Sequence, residues 1–162
     1  MDPLFEFALS VKAIHRELER QTNDAMRPLG LTGPQADALL VIGQAGPLSL
    51  KELGDLLIAE AGHPSRLVDR LVDAGLVERR AASADRRRVE LSLTSRGRRL
   101  QKRAAEAREG ILDLARELLG DRDLKPVVQV LRDLVQYTQF SELVARRREL
   151  LEAEAPSARA HS

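Results

Sequence analysis

Between Leu76 and Thr94 the apolar pattern changes period, and that change limits the possible folds more than any other feature of the chain. Leu76-Val77-Glu78-Arg79-Arg80 reads as a strand. Val89, Leu91 and Leu93 then alternate with Glu90, Ser92 and Thr94, the step of two expected of a half-buried strand. The intervening stretch from Ala81 to Arg88 is short, polar and highly charged. Two strands around such a tip make a hairpin whose loop is long enough to project.

Everything around this hairpin has helical spacing. Asp2-Pro3 reads as an N-cap followed by proline at the first helical position. Leu4, Ala8, Val11, His15, Leu18, Thr22 and Ala25 then form a seam-like stripe on a long helix ending near Leu29-Gly30. A stripe of that length needs a partner surface, within the chain or on a second subunit. Thr32-x-x-Gln35 reads as a capping box opening a helix with Leu39, Leu40 and Ile42 on its apolar face. Ser49-x-x-Glu52 is a second capping box, starting a short helix with Leu53, Leu56 and Leu57 inward. A further short helix carries Leu67, Val68, Leu71 and Val72 and stops at Ala74-Gly75. After the hairpin, Thr94 or Ser95 caps a long helix running to about Leu119, closed by Gly120. A last helix is expected from near Asp123 to about Leu150, and the tail from Glu152 is expected to be disordered.

Composition narrows the chemistry. The 162 residues suffice for one domain, or for two small lobes sharing a core. Aromatic residues are 2% and Trp is absent, so the core must be built from Leu, Val, Ala and Ile, which favours helix packed on helix. The absence of Cys excludes disulfides, thiolate metal sites and cysteine nucleophiles. His15, His63 and His161 have no zinc-like spacing, and neither a metal nor a cofactor is expected. No catalytic triad arrangement, P-loop or dinucleotide fingerprint occurs, so no enzyme is expected. No apolar run approaches the ~20 residues of a membrane span. The acidic start MDPLFEF does not resemble a signal peptide, so a cytoplasmic location is expected.

Net charge is only +1, but its distribution is uneven. From Arg79 to Arg103 ten basic residues stand against Asp85 and Glu90, the footprint expected for a polyanionic partner. A solvated helix face is the simpler reading of a charge run on its own. Two short helices joined by a tight turn and followed by a hairpin make a winged helix-turn-helix. The second short helix suits the DNA major groove, and the hairpin can reach an adjacent minor groove, where negative potential attracts arginine. On that second helix Ser65, Arg66 and Arg70 are the polar residues spared by the apolar stripe. Pro64 belongs in its first turn, which places its start at Gly62 or His63. Two roles are open to His63, a DNA contact or a cap. Arg96, Arg99 and Arg103 line one side of the fifth helix, where two roles are open to them, salt bridges with a partner subunit, the favoured one, or contacts to the DNA backbone.

The stretch SLKELGDLL…SRLVDRLVDAGLVERR…ADRRRVELSLTSRGRRL resembles the multiple-antibiotic-resistance regulator (MarR) family across residues 31 to 103. The resemblance implies a mainly α (α+β) fold, with a winged helix-turn-helix in residues 31–95, dimerisation helices in 1–30 and 96–150, and a tail in 151–162. It implies that Arg87 enters the minor groove while Asp85 directs its side chain. Arg86 and Arg88 are left for phosphates, which position a protein without reading sequence. The implied function is a ligand-responsive repressor acting as a homodimer on double-stranded DNA with a pseudo-palindromic operator. Members of the family commonly release DNA on binding a small aromatic or anionic effector, and His15 is a candidate for the lining of such a pocket. The sequence departs from the family at Glu60-Ala61-Gly62-His63-Pro64, where relatives usually carry a Ser/Thr-rich helix start. The competing reading is a winged-helix protein-interaction module without sequence-specific DNA binding.

Overall fold

A computed structural model describes residues 2–58, 64–82 and 88–158. Helix α1 (Pro3–Met26) begins as expected, the Asp2 carboxylate accepting from the Leu4 N–H at 2.9 Å. A single 3-10 turn (Arg27–Leu29) and Gly30 in the left-handed conformation end it. Helix α2 (Gly33–Ala45) and helix α3 (Leu50–Gly54) both open with complete capping boxes. In each, the cap hydroxyl accepts from the backbone three residues on, and the Gln35 or Glu52 side chain accepts the cap's own N–H in return.

Helix α2 is the centre of the molecule. The sequence placed Leu39, Leu40 and Ile42 inward, and Ala36, Ala38 and Val41 are buried as well. Helices α1, α3, α4 (Pro64–Asp73), α5 (Ser95–Leu119) and α7 (Ser141–Ala158) and strand β2 (Val89–Leu93) all pack around it. A helix covered on every side shows no amphipathic stripe. Leu53, Leu56, Leu57, Val68 and Leu71 complete the core from below, with Leu76, Val77, Leu91 and Leu93 from the hairpin.

Strand β1 (Val77–Ala81) pairs antiparallel with β2, Val77 opposite Leu93 and Ala81 opposite Val89. Leu48 adds a third pairing, exchanging both backbone bonds with Leu91 at 3.2 and 2.7 Å. The expected alternation holds at Leu91 and Leu93 but not at Val89, which is 53% exposed. Val89 lies at the far end of the ladder, beyond the reach of the helices that cover the root.

The last helix is two rather than one: α6 (Lys125–Val135) and α7 are separated by a turn over Gln136–Phe140. Thr138 explains the break. Its hydroxyl donates to the Val135 carbonyl at 2.8 Å and accepts from the Phe140 N–H at 3.2 Å, so a side chain takes bonds that would continue the helix. Helix α7 then runs to Ala158, past Leu150 and into the stretch expected to be a disordered tail. Among the described residues no helix is long and apolar enough to cross a membrane.

Candidate nucleic-acid interface

The surface around α4 follows from its pattern. Val68 and Leu71 are buried, which turns Arg66, Asp69, Arg70 and Asp73 outward, with Ser65 half-buried at the first turn. The helix ends in a Schellman motif, Leu76 N–H to Leu71 carbonyl and Gly75 N–H to Val72 carbonyl, with Gly75 at φ +66°. That termination feeds the chain straight into β1. Arg79 of β1 reaches back to α4, its Nη2 donating to Asp69 Oδ1 at 2.6 Å. Both side chains are substantially exposed, so the pair is worth only ~0–1 kcal/mol and aligns more than it stabilises.

The root of the hairpin is clamped to α5. The Thr94 hydroxyl donates to the Gly75 carbonyl at 2.8 Å and accepts from the Gly97 N–H at 2.9 Å. A Cβ on Gly97 would lie 1.9 Å from the Leu76 carbonyl oxygen, so no other residue fits without moving the backbone. Arg98 Nη1 donates to the Leu93 carbonyl at 2.7 Å and Nη2 to Ser95 Oγ at 3.3 Å. In the sequence Arg98 is one of the ten basic residues between Arg79 and Arg103. Its position four after the Thr94 cap, one turn in, was the signal that it sits over the strand it follows.

At the outer end, the Arg88 carbonyl accepts from the Ala82 N–H at 2.8 Å, closing the hairpin one step beyond the ladder. The Arg88 side chain is exposed. Ser49 hydrogen bonds hold the Glu52 carboxylate below its usual range, and the positive charge of Arg88 adds to that effect. Asp85, Arg86, Arg87 and His63 lie outside the described residues, as does the expected helix start at Gly62 or His63. Arg66, Arg70, Arg88, Arg96, Arg99, Lys102 and Arg103 are exposed and form no salt bridge among the described residues. Two of the four recognition-helix candidates, Arg66 and Arg70, therefore stand exposed and without an ion pair to any described residue, beside a hairpin fixed at its root.

His15 lies elsewhere, 61% exposed on α1 and 3.6 Å from Glu19. It lines a cavity of about 450 Å³ between α1, α2, α5 and α7, together with Leu18, Met26, Leu40, Arg108 and Arg147. The lining combines apolar side chains with the two guanidinium groups and the carboxylates of Glu19 and Asp37.

Residues 29–88 match the family model described as MarR family. The organic hydroperoxide resistance transcriptional regulator of Bacillus subtilis (strain 168) is 30% identical over 124 residues, 76% of this chain and 83% of that protein. An HTH-type transcriptional repressor of Mycobacterium tuberculosis is 36% identical over 87 residues, 54% of this chain and 63% of its own length. Among solved structures, a mutant of MarR from Escherichia coli complexed with operator DNA superimposes with a TM-score of 0.63 at 28% identity, covering 83% of this chain and 96% of that one. A MarR family transcription regulator, 22% identical, reaches a TM-score of 0.74 over 89% of this chain and 94% of its own and supports the fold.

Proposed function

This chain belongs to the MarR family of DNA-binding transcriptional regulators, and from that premise we propose that it is a ligand-responsive repressor binding a pseudo-palindromic operator as a homodimer. The observation that carries the reading is the joining of α4 to the hairpin by Arg79 and Asp69, with Arg66 and Arg70 exposed beside it. In this reading α4 lies in the major groove, where Arg66 and Arg70 are the base-reading residues and Ser65 and His63 contact the DNA near the helix start. Arg87 enters the minor groove at the hairpin tip, directed by Asp85, while Arg86 and Arg88 hold phosphates.

Dimerisation is supported by the apolar surface that the terminal helices leave uncovered. Phe5, Leu9, Ile14 and Leu18 of α1 are at least half exposed. Val127, Val130, Leu131 and Leu134 of α6 are between 37% and 52% exposed, and α6 buries no residue at all. Apolar surface on this scale marks an interaction site on a soluble protein. A symmetric pair would present two α4 helices at successive major grooves, ~34 Å apart. Arg96, Arg99 and Arg103 are available to pair with the second subunit.

The effector site is the cavity beside His15. Its volume suits a small organic molecule. Arg108, with Leu18 and Leu40 in the same lining, fits an aromatic or anionic one. Such a ligand acts only through different affinity for the DNA-bound and free arrangements of the lobes. Selection of duplexes from a random pool, followed by sedimentation of the complex, tests the whole reading. A selected site with two inverted half-sites bound by two chains is the expected result. Binding that ignores DNA sequence would refute it.

A further inference from the structure

Helix α7 meets the segment from Leu31 to Leu93 chiefly along one line of residues, with Arg146 beside that line 4.0 Å from Asp55 at the end of α3. Leu143, Arg147 and Leu150 recur at steps of four and three, a single helix face. Leu143 is buried, and Leu150 packs against the core. Between them the Arg147 guanidinium enters the gap between α2 and the end of α3. Its Nη2 donates to Asp37 Oδ1 at 2.8 Å, while Nη1 donates to Asp37 Oδ2 at 3.4 Å and to the Leu56 carbonyl at 3.2 Å. Most other ion pairs among the described residues join neighbours along one helix, whereas this one spans 110 positions. At 19% exposure Arg147 is also the most shielded cation of any such pair.

What the guanidinium holds matters as much as how tightly. Leu56 follows α3 directly, in the segment that leads to α4. A carbonyl in that segment is therefore tied to a helix outside the lobe. We propose that Arg147 is a positioning residue for DNA binding: it fixes the turn at Leu56, at the end of α3, against α7, and so sets where the recognition helix stands relative to the terminal helices. The proposal rests on the DNA-binding reading above. Arginine suits this because its rigid planar fork meets both carboxylate oxygens and the carbonyl together, where a lysine ammonium offers a compact point of charge without that bidentate geometry. Arg147 also lines the cavity beside His15 and Arg108, so an occupant that draws the guanidinium from Asp37 acts on the turn directly.

The test compares two duplexes of equal length, one selected from a random pool by the unmodified chain and one unrelated, titrated with Arg147→Lys, Arg147→Gln and Asp37→Asn. Loss of positioning should weaken binding to the selected duplex by about tenfold. Affinity for the unrelated duplex and the salt dependence of binding should stay unchanged, since no phosphate contact is lost. Combining Arg147→Gln with Asp37→Asn should cost no more than Arg147→Gln alone. Arg147→Lys keeps charge and stem, so it reads the fork even where Arg147→Gln folds poorly. An equal fall on both duplexes, or an unchanged ratio in Arg147→Lys and Asp37→Asn, would overturn the proposal. If the unmodified chain selects no duplex, the DNA-binding reading fails first and the proposal goes with it.

Discussion

The segment from Leu31 to Leu93 and the helices on either side of it use their apolar residues in opposite ways. The first buries most of its described ones in one cluster centred on α2, and among the described residues Met26 and Ala104 are the buried members of that cluster from outside it, with Leu29, Leu100, Ala107 and Leu150 packed partly buried against it. The second carries more apolar residues, in clear helical stripes, and leaves most in solvent: α1 buries only Met26, α5 only Gly97 and Ala104, α6 none. The lobe thus holds its own shape, whereas the terminal helices leave apolar surface exposed. Stability and assembly should respond to different substitutions, and that separation can be broken by experiment.

The largest effect is expected where the core is closed. Leu39 is fully buried, so Leu39→Ala should cost about 2–5 kcal/mol of unfolding free energy through lost transfer energy and the cavity left behind. Leu131→Ala removes the same atoms from a side chain already 37% exposed. Its effect should appear as a melting midpoint that depends more steeply on protein concentration, because it weakens association rather than the lobe. A concentration-independent loss of equal size in both variants would erase the distinction.

Next in size comes the hairpin tip. Arg87→Ala should weaken binding to a selected site by about 1–3 kcal/mol and relax preference where the tip reads the minor groove. Arg88→Ala should instead weaken selected and unrelated duplexes alike, and lower the slope of log affinity against log salt by about one. Electrophoretic or fluorescence titration at several salt concentrations separates the two. Arg88→Ala should leave the melting midpoint nearly in place, since Arg88 is exposed and forms no salt bridge among the described residues. If the two variants behave identically, the tip holds backbone only.

The same divide explains what could be read from the chain in advance. Signals that act within a few residues were legible: the capping boxes at Thr32 and Ser49, the glycine stop at Gly75, the strand alternation at Leu91 and Leu93. Each is a local competition for backbone hydrogen bonds or a local period. The break at Thr138 is local too, yet it sits inside an unbroken apolar repeat from Val127 to Leu143 that argues for one helix. Long-range placement was hidden. Nothing in the neighbourhood of Arg147 announces a partner at Asp37, and the exposure of Val89 depends on how far the helices reach along the hairpin. The family resemblance pointed to the hairpin tip and the start of α4, but not to the clamp at the hairpin root by Arg98.

The smallest effect discriminates most sharply, because it makes one chemical change in both regions. Thr32→Ala and Asp2→Ala each remove an N-cap acceptor, a loss usually of about 0.5–2 kcal/mol. Thr32 caps the helix on which the core is built, and its oxygen sits 3.4 Å from the Gln35 N–H, so the loss belongs at the low end of that range. It should nevertheless appear in the global unfolding free energy, because α2 cannot fray without opening the lobe. Asp2 caps a first turn with no buried neighbour, although its bond to Leu4 is shorter at 2.9 Å. There the loss should stay local, raising amide exchange through the first turn of α1 and leaving the midpoint of a dilute sample in place. The stronger hydrogen bond would then matter less to the whole than the weaker one. The reverse outcome, a lower midpoint for Asp2→Ala at every concentration, would mean that α1 is folded into the core rather than waiting on a partner.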